Sequence, residues 1–279
     1  MRKLGLIAGG GQLPIEIADH CERAGRAYHV LRLRGFAGDE LADRPGEVVG
    51  LAELGKCIRS LRRAGCEAVC LAGNVARPDF GKLKPDLRGV RALPGAIAAA
   101  RRGDDALLRY LVGIFEKEGF AVEGAHEVTA ELALPLGPLG AHDARPEHRD
   151  DIARALAVAR QIGQLDIGQG AVVCDGLVLA VEAQEGTDAM LERVADLPAA
   201  IRGAPGAARG VLVKAPKPIQ EERVDLPTIG PSTIRSAARA GLAGVAGEAG
   251  RLLVLERGEV IRLADELGLF VLGLEPTGR

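Results

Sequence analysis

The first half of the chain alternates short apolar segments with amphipathic ones, and this alternation constrains the fold more than any other feature of the sequence. Residues 4–8 are typical of a buried strand, the glycines at 9–11 form a turn, and Pro14 fits the first turn of the helix that follows. The other elements predicted here are strands at 28–36, 67–72 and 120–122, and helices at 51–64 and 104–118. Such alternation predicts parallel strands joined by crossover helices, with ligand-binding groups at the carboxyl ends of the strands.

The amino-acid composition and the hydrophobic pattern change near the middle of the chain. Residues 134–146 are rich in Pro and Gly and have no hydrophobic period, which predicts a linker between a first domain at 1–133 and a second domain at 147–279. In the second domain, the dipeptide Asp175-Gly176 between two apolar runs is a strong signal for a hairpin turn. The other elements predicted there are helices at 151–165, from 187 onward and at 232–240, and strands at 210–215, 252–255 and 269–272. Both domains are therefore expected to be α/β, the second with a mixed sheet.

The overall charge argues against a nucleic-acid partner. The formal net charge is −2, so the chain lacks the broad cationic field that nonspecific nucleic-acid binding requires. Aromatic residues make up only 3% of the chain and tryptophan is absent, which also argues against a platform for stacking bases.

The cysteines and the apolar segments indicate where the protein works. The five cysteines form no CxxC pair, so we expect buried thiols in a reducing cytoplasm rather than disulfides or a structural zinc site. No apolar run approaches the roughly 18 to 20 residues that a membrane-spanning helix needs. Any contact with a membrane is therefore expected at its surface.

The glycine turn at 9–11 is a candidate phosphate site. Its backbone N–H groups can approach phosphate oxygens closely, and the start of the next helix adds partial positive charge. The candidate substrate-binding residues in this half of the chain are Gly10, Gly11, Gln12, Asn74 and Arg77. The same residues also fit a purely structural tight turn, a turn asparagine and a surface arginine.

A dinucleotide site at this turn is poorly supported by the sequence. Pro14 stands where the dinucleotide-binding motif has its third glycine. Arg32 and Arg34 end the second strand, where an acidic residue is expected to bind the ribose.

Polar residues of the second domain concentrate in three segments: 166–170, 182–188 and a third that begins at Lys214. The first two flank the predicted hairpin, which brings them to one end of the same two strands. The third also contains Asp225, and a mixture of cations and a carboxylate suits pyrophosphate hydrolysis, because cations neutralise charge developing on phosphoryl oxygens. A solvated charged loop and a helix cap at Thr187 explain the same residues without function.

Several segments together resemble one family, the LpxI-type UDP-2,3-diacylglucosamine pyrophosphatases of lipid A biosynthesis. The matching segments, which span nearly the whole chain, are LIAGGGQLP, GNVARP, GDDALLR, LDIGQGAVV, VLAVEAQEGTDAML, KAPKPIQEERVDLPTIGP and AGLAGVAGEAG. The resemblance implies hydrolysis of UDP-2,3-diacylglucosamine to UMP and 2,3-diacylglucosamine 1-phosphate (lipid X). It also implies a Rossmann-like N-terminal domain that holds UDP, a mixed α/β C-terminal domain that holds the acylated sugar phosphate, and a homodimer.

The resemblance also implies roles for individual residues. Asp225 matches the catalytic carboxylate and the contact for Mg²⁺ or Mn²⁺. The other polar positions that match, with catalytic roles for the first three and substrate binding for the last two, are Lys214, Gln169, Asp188, Thr187 and Gln220. We expect the glycines of the first domain and the carboxylates of the second to close over the diphosphate, and the enzyme to be cytoplasmic with transient contact at the inner-membrane surface.

Two other functions remain open at this point. A dinucleotide-dependent oxidoreductase would explain the glycine turn, and submicromolar NAD(P)H binding would favour it. A noncatalytic carrier of a sugar nucleotide or lipid precursor would leave the Lys, Gln and Asp residues around Asp225 without an evident task.

Overall fold

The computed structural model describes residues 1–76, 79–204, 206–218 and 221–276. Contacts within the chain divide it into two units, Met1–Thr129 and Ala130–Arg279. Both units combine helices with a sheet, which confirms the predicted α/β class. None of the helices in the described ranges is both long and apolar enough to cross a membrane.

The first unit is built around a parallel sheet with the strand order β3-β2-β1-β4-β5. Its strands are Leu4–Ala8 (β1), Tyr28–Leu33 (β2), Gly46–Val49 (β3), Ala68–Ala72 (β4) and Ala121–Val122 (β5). Its helices are Leu13–Arg23 (α1), Leu54–Arg63 (α2), Leu87–Ala100 (α3), Asp104–Lys117 (α4) and Ala125–Val128 (α5). The order changes direction between β1 and β4, the position at which doubly wound sheets bind ligands.

Close packing explains why β1 is uniformly apolar. Every residue of β1 is buried, as in parallel strands that are covered on both faces. Leu61 of α2 lies over Gly5, where a Cβ atom would come within 2.2 Å of a Leu61 methyl carbon. Gly5 thus lets the helix approach the strand.

The second unit contains a mixed sheet with the order β6-β13-β11-β9-β7-β8, and a short parallel pair, β10 with β12. Its strands are Gly137–Pro138 (β6), Gly170–Cys174 (β7), Leu177–Val181 (β8), Val211–Lys214 (β9), Thr228–Ile229 (β10), Gly244–Glu248 (β11), Leu253–Val254 (β12) and Phe270–Leu274 (β13). Its helices are Arg149–Gln164 (α6), Gly186–Ala195 (α7), Pro231–Arg239 (α8) and Arg257–Leu267 (α9). Strands β9, β11 and β13 are parallel, whereas β7 runs antiparallel to both of its neighbours.

The segment 134–146, which the sequence indicates as a linker, contributes to the second unit. Leu134 and Leu139 lie in its hydrophobic core, 1% and 6% exposed. Between them, Gly137–Pro138 pairs with β13. The Pro and Gly content reflects changes of chain direction, such as the one at Gly140, whose φ is 112°, and the two leucines anchor the segment despite its lack of a period.

The strands and α-helices that were not predicted from the sequence are β3, α3, α5, β6, β10, β11 and α9. Strand β11 was not predicted because its sequence consists mostly of glycine and other small residues, and not of the β-branched and aromatic residues that are typical of strands. A Cβ at Gly244 would lie 2.4 Å from the Phe270 ring, and one at Gly247 would lie 2.6 Å from Leu252. Glycine here marks close packing within a sheet. Helix α3 contains Pro94, which weakens the helical signal.

Candidate active site

The second unit gathers polar side chains at one edge of its sheet. Lys214 is the last residue of β9 and pairs with Gly170, the first residue of the antiparallel strand β7. Gln169 directly precedes β7, and Glu182 directly follows β8 on the other side of the hairpin. The antiparallel arrangement therefore brings three distant parts of the sequence to the same edge.

Lys214 is the centre of this cluster. Its side chain is only 5% exposed, and its ammonium group donates hydrogen bonds to Thr187 Oγ1 at 2.6 Å and to the backbone oxygen of Thr228 at 3.2 Å. The ammonium also lies 3.6 Å from Glu182 Oε1. The solvated-loop interpretation does not hold for this part of the third polar segment, because Lys214 is buried.

Thr187 connects the lysine to Glu182. Its hydroxyl accepts from Lys214 and donates to Glu182 Oε1 at 2.6 Å. The sequence also allowed Thr187 to be a helix cap, but helix α7 begins at Gly186 and its N-cap is Glu185. Thr187 therefore lies inside the first helical turn, with its side chain turned to the polar cluster.

The charge state of Lys214 reflects competing effects. Burial lowers the pKa of the ammonium group, whereas the nearby carboxylates of Glu182, Asp188 and Asp225 raise it. Asp188 is exposed and Asp225 is half-buried, so both can be reached from solvent. A buried cation with solvent-accessible carboxylates around it is suited to bind a phosphate group and to hold a metal beside it.

Backbone and ionic contacts join the first and third polar segments. Ala215 donates its N–H to the backbone oxygen of Gln169 at 2.9 Å, and Lys217 forms an ion pair with Asp166 at 2.6 Å. Among the described residues, none donates a hydrogen bond to the buried Gln169 Oε1. This acceptor can receive a hydrogen bond from a ligand.

Glu182 is the residue of this cluster that the sequence analysis did not select. It is 6% exposed, and its side chain fits because two neighbouring positions are glycines. A Cβ atom at Gly168 would come within 2.0 Å of the Glu182 backbone oxygen, and one at Gly170 within 2.8 Å of its Oε2. The sequence signal that could have pointed to Glu182 is the pair of glycines, Gly168 and Gly170, near the start of the neighbouring strand of the predicted hairpin.

A second ionic cluster adjoins this edge. Glu248 ends β11, next to β9, and is 1% exposed. It accepts hydrogen bonds from Arg160 at 2.5 Å and Arg251 at 2.6 Å, and Arg251 also pairs with Glu222. These contacts balance the buried carboxylate and fix the loop after β11.

In the first unit, the glycine turn lies where the strand order changes direction. The backbones of Gly10 and Asn74 exchange two hydrogen bonds, at 2.9 and 2.8 Å, and Gly9 donates to Ala72. The N–H groups of Gly9 and Gly10 are thus engaged within the protein. Gly11, with a φ of 85°, is exposed, and the candidate phosphate contacts at this turn begin there.

The missing third glycine has a structural equivalent directly after β4. Gly73 follows this strand with a φ of 92°, and a Cβ there would lie 2.6 Å from Gly10 O and 2.7 Å from Pro14 Cγ. Gly73 thus allows the close approach of helix to strand that the motif's third glycine normally provides. Gln12 is the N-cap residue of α1, and the Asn74 side chain is exposed beside Gly11.

Two of the predicted site residues, Arg77 and Gln220, lie outside the described residues. The other predicted residues of the second unit, Lys214, Thr187, Asp188 and Asp225, belong to the cluster described above, and Gln169 lies at the same sheet edge. Those of the first unit, Gly10, Gly11, Gln12 and Asn74, surround the glycine turn.

The carboxylates suit a metal that is shared with the substrate. Within the described part of the chain, no group of three His, Cys, Asp or Glu residues could form a protein-only metal site. Magnesium, however, is usually held by one or two carboxylates together with phosphate oxygens and water. Asp225 and Asp188, which both act on Lys214, provide such a donor set.

Comparisons with known proteins agree along the whole chain. The model of the LpxI N-terminal domain matches residues 3–132, and that of the LpxI C-terminal domain matches residues 135–272. A curated relative from Caulobacter vibrioides, the UDP-2,3-diacylglucosamine pyrophosphatase LpxI, is 66% identical over 279 residues, which is 100% of both chains.

Proposed function

The chain belongs to the LpxI family, and on this premise we propose that it hydrolyses the pyrophosphate bond of UDP-2,3-diacylglucosamine to give UMP and 2,3-diacylglucosamine 1-phosphate. The relative that is 66% identical over the full length is a UDP-2,3-diacylglucosamine pyrophosphatase. This identity supports hydrolysis more directly than it supports an oxidoreductase or a carrier, the two other functions that the sequence left open.

One structural observation carries the proposal: a buried lysine ammonium at a sheet edge, with acidic residues beside it. Lys214 can neutralise negative charge on a phosphoryl oxygen, and low solvent exposure strengthens that interaction. Such preorganised charge is a main source of catalysis in phosphoryl transfer, because the protein has little covalent chemistry to perform. Gln169 Oε1 adds an acceptor for a substrate hydroxyl or amide.

We propose Asp225 as the catalytic carboxylate and as the residue that holds Mg²⁺ or Mn²⁺ when substrate is bound. The metal would neutralise phosphate charge during hydrolysis. Asp188 and Asp225 both influence Lys214, and this supports placing the diphosphate beside the three side chains.

We assign UMP binding to the first unit, as a Rossmann-like domain. Its strand order matches the first five strands of the doubly wound nucleotide-binding sheet, and the glycine turn lies at its switch point. The exposed Gly11 is suited to approach phosphate closely. The homodimer and the transient contact with the inner membrane stay predictions from the family resemblance.

The test is release of UMP from UDP-2,3-diacylglucosamine, with Mg²⁺ and Mn²⁺ supplied separately. Asp225→Asn is expected to remain folded and to lose most turnover, since it removes a charge at constant shape. The matched control is Asp175→Asn, in the hairpin turn at the opposite end of β7, which should keep wild-type turnover. Binding of substrate without any UMP release by the wild type would favour a carrier, and wild-type turnover in Asp225→Asn would remove Asp225 from the mechanism.

A further inference from the structure

We propose that Glu182 is a positioning residue for the reaction, which holds the Lys214 ammonium against the sheet edge directly and through the Thr187 hydroxyl. The inference rests on the proposed function, in which Lys214 faces the diphosphate. Glu182 itself need not touch the substrate.

The direction of the hydrogen bonds supports this role. Lys214 donates to Thr187 Oγ1, and Thr187 then donates its only hydroxyl proton to Glu182 Oε1. The carboxylate therefore orients the hydroxyl so that its lone pairs face the lysine. Of the three N–H donors of the ammonium group, two bind Thr187 Oγ1 and the Thr228 carbonyl, and Glu182 Oε1 lies 3.6 Å from the same nitrogen.

The surroundings of Glu182 are built to accept an acidic side chain. The glycines at 168 and 170 leave room for its backbone and carboxylate, and its N–H donates to Gly170 O at 2.8 Å. No donor among the described residues reaches the buried Oε2. A carboxylate that is buried with one oxygen unsatisfied is costly, so its position beside a buried cation points to a role in holding that cation.

The charges around Lys214 make this role measurable. The charged groups that act on the ammonium are Glu182, Asp188 and Asp225, and Glu182 has the largest effect of the three. All three raise the lysine pKa and oppose the effect of burial. If Glu182 is neutralised, Lys214 should lose its proton at lower pH, and kcat/KM should fall at correspondingly lower pH.

The experiment compares Glu182→Gln with the wild type in profiles of kcat/KM against pH. The alkaline limb of the variant's profile should move to lower pH by at least about one pH unit. At pH values above the alkaline limbs of both profiles, kcat/KM of the variant should therefore be about tenfold lower than that of the wild type. The matched control is Glu185→Gln, in the same segment, whose carboxylate pairs with Arg193 at 2.5 Å. The limb of this control should stay in place.

A second measurement separates this inference from the proposed function. The Lys214 ammonium can be titrated by ¹⁵N NMR, with Lys214→Arg used to assign its signal. A lower titration midpoint in Glu182→Gln supports the inference even if the wild type releases no UMP. Should Glu182→Gln fail to fold by circular dichroism, Glu182→Asp is used, which keeps the charge but withdraws it and should give a smaller shift. An unchanged midpoint, or an equal loss of activity at every pH, would overturn the inference.

Discussion

Replacing Lys214 with methionine tests how much the buried pair of Lys214 and Glu182 contributes to the free energy of unfolding. Methionine has a similar length and fills most of the volume, so the main effect is loss of the ammonium group. Lys214 and Glu182 are only 4% and 6% exposed, and the variant leaves Glu182 buried without its cation. Removing one partner of a buried pair typically costs about 3–5 kcal/mol. Because Thr187 still donates to Glu182, we expect about 3 kcal/mol.

A surface pair provides the comparison. Arg235 and Glu259 lie 3.2 Å apart, but their side chains are 54% and 32% exposed. Exposed pairs contribute about 0–1 kcal/mol because water screens both charges. Arg235→Met should therefore lower the free energy of unfolding by less than about 1 kcal/mol.

The double variant Lys214→Met/Glu182→Gln makes the test specific. When both charges are removed, no carboxylate is left uncompensated, so the double variant should be more stable than the sum of the single variants predicts. The measurement is urea unfolding of the whole chain, followed by far-UV circular dichroism. The reasoning is refuted if Lys214→Met costs less than about 1 kcal/mol, or if the effects of the two substitutions simply add.

Two further predictions concern the first unit. Gly73→Ala places a Cβ atom 2.6 Å from Gly10 O, whereas Gly65→Ala, at a similar positive φ, meets nothing within 4 Å. Gly73→Ala should thus destabilise the protein by at least about 1 kcal/mol more than Gly65→Ala in urea unfolding, because only the first is also overpacked. Burial raises the pKa of Cys70 to about 12, so this thiol should react with a disulfide reagent at pH 8 only after denaturation. Fast reaction in the native protein would contradict its placement.

The features that the sequence predicted correctly depend on local signals. The strand–glycine–helix start of the chain is confirmed as Leu4–Ala8 followed by Leu13–Arg23. The hairpin turn is also confirmed, since Asp175 and Gly176 both have positive φ, as a two-residue turn of this kind requires. The buried thiols are confirmed for all five cysteines.

Features that depend on packing between distant segments could not be predicted in this way. Pro14 in place of a third glycine argued against a dinucleotide site, but the sequence did not show that Gly73, which follows β4, allows close packing at the helix start. Leu134 and Leu139 stand among prolines and glycines, and only their burial shows that their segment belongs to the second unit. In each case the decisive partner lies far away in the sequence.

The position of Glu182 shows how a small irregularity can decide which residue enters a site. Next to the turn, Cys174 of β7 pairs with Leu177 of β8. If the hairpin continued from there without a bulge, Gly170 would pair with Val181. The bulge in β8 shifts the register by one residue, so that Glu182 donates its N–H to Gly170 instead. A shift of one residue exchanges the two faces of a strand. The bulge therefore brings a carboxylate rather than a valine to Lys214, and no turn or propensity signal in the sequence marks its position.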